Sequence, residues 1–330
     1  MKNTSTFFKL FAHNIPVKGK DKGAIYDLQN QQITTIPNVL CSILSDLNHD
    51  SIQNIKQKYT PNSPELFENY LTFLRQKGLG CDVLCLEDFP TLNLSWDSSS
   101  EINIAVIEHD FEHYNLKNTL WQLDDLLCRH LELRIESLHK DVSHLEEILD
   151  FANDKVFKSI TLLIDYQSIG AEQAELIFER CKKIDFMVIH DSPWKMPHSN
   201  YPQNILFIEE SLSEMSRNMK EKYIVNMSYF TESQQFNPFY NRKICIDKLG
   251  NIKNSLSNPL HFGNVNTHKI RKVISSDSFQ KLWHASPDKI IGLRDSALRY
   301  ATFLTADLEE DNAGLFHIKA PLLEEKNSNV

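Results

Sequence analysis

Ile102-Asn-Ile-Ala-Val-Ile107 is a short apolar run whose recurrence along the chain decides the fold. Similar runs lie at Leu131–Ile135, Ser159–Ile164, Phe186–Ile189 and Ile205–Ile208. Helical patterns at about 115–129, 142–154, 170–183 and 211–222 fall between and after them. Short apolar strands alternating with helices predict a parallel sheet with right-handed crossovers. Five such units are too few for a closed eight-stranded barrel, so an open, partial (β/α) barrel is expected.

Upstream, Phe7–His13, Gly23–Leu28 and Gln32–Ile36 read as strands, the last two joined as a hairpin through Gln29-Asn30-Gln31. Three helices should follow. The first starts near Pro37 and sets Val39, Leu40, Ile43, Leu44 and Leu47 at helical spacing. Ser51 caps the second, which carries Ile52 and Ile55. The third has Ser63 as its cap, Pro64 at the first helical position and Gly78 as its end. A small sheet followed by three helices is the order of a winged helix. The link 87–100 is a plausible domain boundary. The division expected is 1–90, 97–225 and 226–330.

Composition sets the outer limits. The chain has 330 residues, 41% hydrophobic and 24% charged, with 35 basic against 44 acidic residues and a formal charge of −9. That balance argues against nucleic acid, whose binding is carried by clustered Lys and Arg. No apolar run approaches a membrane span, and Met1–Phe11 holds too short an apolar core for a signal peptide, so no membrane partner and a cytoplasmic location are expected. The six cysteines form no disulfide framework. Cys41, Cys128 and Cys181 read as small buried hydrophobes. Cys81 and Cys85, with Asp88 after them, lack the third thiolate that an iron–sulfur site would need.

From Tyr223 the chain turns irregular, with a hairpin around Lys248-Leu-Gly-Asn251, a helix near Ser276–His284 and a polar tail, Leu323–Val330. Phe279 and Trp283, four apart, read as core. Asn237-Pro-Phe-Tyr-Asn-Arg-Lys-Ile-Cys245-Ile-Asp-Lys-Leu-Gly250-Asn-Ile-Lys-Asn-Ser255 resembles the opening of a SPASM domain, the auxiliary-cluster module of radical-SAM peptide-modifying enzymes. With Ile15-Pro-Val-Lys-Gly, Tyr26-Asp-Leu-Gln, Ile36-Pro-Asn, Gln122-Leu-Asp-Asp and His130-Leu-Glu-Leu-Arg134, the whole chain resembles the SPASM-domain peptide maturases of grasp-with-spasm systems. The resemblance places cysteines where this chain has Ser255, Leu293, Ser296, Thr302 and Thr305, and keeps only Cys245. Iron–sulfur clusters need thiolates, so the C-terminal region is expected to be a degenerate, cluster-free SPASM-like domain with no cofactor.

Such systems pair this protein with an ATP-grasp ligase acting on a small ribosomal precursor. The resemblance therefore implies an accessory protein that binds the precursor's leader peptide and presents the precursor to the ligase. The winged helix would hold an extended leader as an added strand along Gly23–Leu28 or its neighbour at the sheet edge. Gly23, Ile25, Tyr26 and Leu28 are the strand candidates, and Tyr70 and Leu74 of the third helix the pocket candidates.

The alternative is a peptide-modifying enzyme, using SAM-derived radical chemistry or a metal at the barrel mouth. Glu108-His-Asp-Phe-Glu-His113 comes directly after the first barrel strand, and His109, Glu112 and His113 could share one helical face as metal ligands. Ile189-His-Asp-Ser192 offers the residue types of a base and nucleophile, but adjacent residues rarely point at one another. A winged-helix regulator of transcription is disfavoured, because the third helix carries Glu65, Glu68, Arg75 and Lys77 and no basic stripe.

Overall fold

The computed structural model describes residues 6–59, 64–136, 142–194, 204–217 and 222–319. The Ser63 cap, the first five residues and the tail Leu323–Val330 lie outside them. The chain divides into two compact units that interleave along the sequence. Unit 1 is Met1–Asp97, Glu221–Pro238 and Ala285–Val330, and unit 2 is Ser98–Lys220 and Phe239–His284. The segment 226–330 is thus shared between the units.

Unit 1 opens with β1 (Phe7–Leu10), β2 (Asn14–Lys18), β3 (Gly23–Asp27) and β4 (Gln32–Ile36). Helices α1 (Asn38–Leu47), α2 (Ile52–Tyr59) and α3 (Pro64–Gln76) come next, then β5 (Gly80–Val83). The expected signals are present: the Ser51 hydroxyl accepts from Asn54 N–H at 3.3 Å, and Gly78, at φ 65°, closes α3. Strands β2-β3-β4 form an antiparallel sheet, and β1 pairs β5. Strand β3 is inner, and it is buried on both faces. Ile25 packs with Leu40, Leu44, Phe67, Leu71 and Leu74 of the helices. Ala24, Tyr26 and Leu28 face the other way, against Phe230, Ala297 and Ala301. The Tyr26 hydroxyl donates to the Ala297 carbonyl at 2.8 Å.

Unit 2 holds β6 (Ile104–His109), α4 (Leu116–Asp125), β7 (His130–Ile135), α5 (Ser143–Asn153), β8 (Ser159–Asp165), α6 (Tyr166–Arg180), β9 (Ile184–His190), β10 (Ile205–Phe207) and α7 (Leu212–Arg217). Helix α6 breaks at Gly170, whose φ of 60° and ψ of −174° only glycine adopts readily. Strand β11 (Lys222–Tyr223) and α8 (Met227–Ser233) belong to unit 1. Unit 2 then adds β12 (Lys243–Ile246), β13 (Asn251–Lys253), β14 (Gly263–Asn264), α9 (Ile270–Ile274) and α10 (Asp277–Gln280). Unit 1 ends with β15 (Thr302–Phe303), β16 (Leu308–Glu310) and β17 (Phe316–Ile318).

The centre of unit 2 is an eight-stranded sheet in the order β10-β9-β8-β7-β6-β12-β13-β14. From β10 to β12 every pair is parallel, and β13 and β14 add antiparallel strands. A mixed α/β unit with an open, mostly parallel sheet is consistent with the partial barrel read from the sequence. One parallel strand more than expected is present, because the hairpin around Gly250 lays β12 beside β6 in parallel. Phe279 meets Phe262 at 5.2 Å and Trp283 at 5.8 Å between ring centroids, as a core cluster. No helix among the described residues is long and apolar enough to cross a membrane.

Candidate functional site

Strand pairing decides which backbone in unit 1 can accept another strand. Leu28 N–H bonds to the His13 carbonyl and Gly19 N–H to the Lys22 carbonyl. With the β2–β3 register, these fix residues 24, 26 and 28 of β3 as pointing toward β2, and 23, 25 and 27 toward β4. Both flanks of β3 are therefore occupied. Gly23, Ile25, Tyr26 and Leu28 are all buried and cannot pair with an incoming peptide. Leu74 is also excluded, being fully buried in the helical core, while Tyr70 is half-buried against that core.

The same alternation leaves residues 14, 16 and 18 of β2 pointing outward. Asn14 N–H is taken by the Phe11 carbonyl, Pro16 has no N–H, and the Lys18 carbonyl accepts from Arg299 at 2.9 Å. At β4 the outward groups are the N–H and C=O of Ile33 and Thr35. No partner for them occurs among the described residues, and Thr35 is exposed. Within the β2-β3-β4 sheet the available edge is β4.

In unit 2, period-two alternation sorts the sheet into two faces. Leu131, Leu133 and Ile135 of β7 are buried, while His130, Glu132 and Arg134 take the other face. Registers align Glu132 with Val106, Arg134 with Glu108, and Val106 with Cys245. Arg134 lies 2.6 Å from Glu132 and 3.8 Å from Glu108. Lys253 lies 3.0 Å from Asp247, and His130 Nδ1 is 2.8 Å from the Ser159 hydroxyl. Burial raises the pKa of Glu108, partly offset by Arg134. At Asp247 burial acts upward, but hydrogen bonds from Asn251 N–H and Lys253 outweigh it and hold the carboxyl low. The array sets three carboxylates against two cations, Arg134 and Lys253, and can hold polar groups. It contains no activated nucleophile: Cys245 is buried, its thiol donates to the Asn254 carbonyl at 3.5 Å, and burial pushes its pKa up to about 11.

The loop after β6 is not the helical turn expected of 109–113. His109 ends its strand and turns inward, with its ring edge-on to Phe111 at 4.8 Å and Tyr114 at 4.7 Å. It is 2% exposed, its Nδ1 has no hydrogen-bond partner, and burial drives its pKa down to about 4. The ligand-type atoms of Asp110, Glu112 and His113 instead lie within 4.8 Å of one another, with His113 Nδ1 at 2.5 Å from Asp110. The structure thus brings together Glu112 and His113, leaves out His109 and adds Asp110. At the end of β9, His190 Nδ1 meets Asp191 at 2.6 Å, while the Ser192 hydroxyl accepts from Trp194 N–H at 3.4 Å. That is strand-end bonding rather than a base paired with a nucleophile.

The positions where the SPASM resemblance implies thiolates do not fit a cluster. The Ser255 hydroxyl sits 2.8 Å from that of Ser257. The Ser296 hydroxyl accepts from Leu298 N–H at 3.0 Å, and the Thr302 hydroxyl donates to the Leu298 carbonyl at 3.0 Å. Leu293 and Thr305 are half-buried and supply no thiolate. These hydroxyls serve local turns.

No family model matches the chain. A search of curated proteins gives no match either. Among solved structures, BtrN in complex with AdoMet and 2-DOIA is similar at 9% identity and a TM-score of 0.39, over 62% of this chain and 94% of that one. BtrN in an open conformation gives 10% identity and a TM-score of 0.37, over 60% and 93%. Streptococcus suis SuiB gives 10% identity and a TM-score of 0.33, over 89% and 94%. Scores this low carry nothing about chemistry, and the fold rests on the strand order above.

Proposed function

We propose that this chain is a non-redox accessory protein of ribosomal peptide maturation. It holds the leader of a precursor peptide and presents the precursor to an ATP-grasp ligase. In this reading residues 1–90 supply a winged-helix recognition module, 97–225 a partial radical-SAM-like barrel, and 226–330 a SPASM-like region without its cysteines. One observation carries the proposal: β4 keeps an outward row of N–H and C=O groups at Ile33 and Thr35, while β3 is paired on both sides and the outward donors of β2 are interrupted, Asn14 N–H being taken and Pro16 having none. A leader added there gains main-chain hydrogen bonds without a demanding sequence code, which suits recognition of an extended tail. The family resemblance supplies the identity of the guest.

The experiment is a titration of the full chain with a labelled precursor leader and with versions carrying proline at successive positions. Loss of affinity at every second proline position supports strand addition, because alternate residues direct their N–H toward the host strand. A flat proline scan with retained binding would place the peptide elsewhere. The rival reading, an enzyme with a metal at the strand ends, draws on Asp110, Glu112 and His113. Stoichiometric zinc in the purified chain, lost on His113→Ala, would favour it.

A further inference from the structure

Unit 2 carries a cleft of about 390 Å³ between α4 and α9, on elements that the leader edge does not use. Its floor is apolar. Trp121 presents its indole at 51% exposure, and Leu126 lies buried beside it. Its rim is cationic, formed by Lys269, Arg271 and Lys272. Arg271 is matched locally, to Glu101 at 2.8 Å and Asp125 at 3.4 Å. Lys269 and Lys272 have no acidic partner among the described residues. The cleft is also built in advance: the Gln122 side-chain oxygen accepts from Ile270 N–H at 3.0 Å, a buried bond that fixes α9 against α4.

An exposed tryptophan beside unpaired lysines is not what solvation of a helix face requires. Tryptophan and arginine dominate the energetics of protein interfaces, and a cationic rim selects a guest of opposite sign. Nucleic acid is disfavoured by the chain's formal charge of −9. We propose that this cleft docks an acidic segment of a partner protein. An apolar side chain of that segment rests on Trp121 and Leu126, and carboxylates flanking it meet Lys269 and Lys272. The site uses none of the residues of the leader edge and does not depend on it.

The test uses the full chain and a fluorescein-labelled synthetic peptide of alternating glutamate and leucine, read by anisotropy. A lysine–leucine peptide of equal length serves as the control. The acidic peptide should bind and the basic one should not, and affinity should fall as salt rises. Trp121→Ala, and Lys269→Glu with Lys272→Glu, should each weaken binding by about tenfold or more with an unchanged melting temperature, because these side chains are exposed. No binding of the acidic peptide, or equal binding by wild type and both variants, would overturn the proposal. So would a concentration-dependent dimer that the double lysine variant dissolves, since a second copy would then be the occupant.

Discussion

Arg134 and Glu132 stand 2.6 Å apart on one face of the sheet, while Leu133 between them is fully buried on the other. Arg134 also lies 3.8 Å from Glu108, so one half-buried guanidinium serves two carboxylates.

Removing it should leave both carboxylates short of their counter-charge. Arg134→Ala is expected to lower stability by about 2 kcal/mol, the scale of hydrogen bonds to charged groups. Urea denaturation of the full chain measures this. Combining it with Glu132→Gln should cost less than the sum of the single changes, because the pair is coupled.

At β4, Thr35 directs its N–H outward and Thr34 directs its own to β3. Thr35→Pro should therefore weaken leader binding about tenfold while leaving the fold intact, as Pro16 is accommodated in β2. Thr34→Pro breaks a ladder bond and should destabilise the chain by about 1–3 kcal/mol, the cost of leaving the Ile25 carbonyl without its donor. Circular dichroism and leader titration separate the two effects. Equal binding by wild type and Thr35→Pro would remove β4 as the host.

His109 gives stability a pH dependence of definite sign. Its folded pKa, near 4, lies below the unfolded value near 6.5, so between those values the unfolded chain binds the proton more readily. The contribution is fully present above pH 6.5 and is lost as pH falls through 4, with a total of about 3 kcal/mol. His109→Phe should flatten that part of the profile. It should cost little at neutral pH, because Nδ1 has no hydrogen bond to lose. Denaturation midpoints measured from pH 7 to pH 4 on both proteins check this.

Protein purified without oxygen should contain no stoichiometric iron or sulfide, and strong chelation should leave its melting temperature unchanged. The basis is the buried, protonated Cys245 thiol and the hydroxyls of Ser255, Ser296 and Thr302 bonded within turns. Cys245→Ala should cost only about 1 kcal/mol, as loss of a small buried group. A cluster absorption spectrum would contradict all of this.

Much of unit 2 is legible in the sequence because Leu131–Ile135, Ser159–Ile164 and their neighbours are apolar runs with helical patterns between them. Strand β2 is not, because Pro16 and Lys18 do not read as strand, and without β2 nothing marks β3 as an inner strand. The four β3 candidates for peptide binding are apolar because they are core. The charged face is half visible. The alternation in His130-Leu-Glu-Leu-Arg-Ile135 marks two faces, yet the companions Glu108, Asp247 and Lys253 are brought in by strand register across distant segments. The metal-like trio differs at His109 because the chain there is still leaving a strand, where helical spacing does not apply.

The bond from Tyr26 to Ala297 spans 271 positions of sequence. During synthesis the first sheet emerges long before the residues that cover its second face. At roughly 5–20 residues per second the wait is on the order of tens of seconds. Through that interval Ala24, Tyr26 and Leu28 lack Phe230, Ala297 and Ala301, the side chains that bury them in the finished protein. Cutting the gene after residue 90 would make the wait permanent. Such a fragment should aggregate rather than yield a free-standing peptide-binding module.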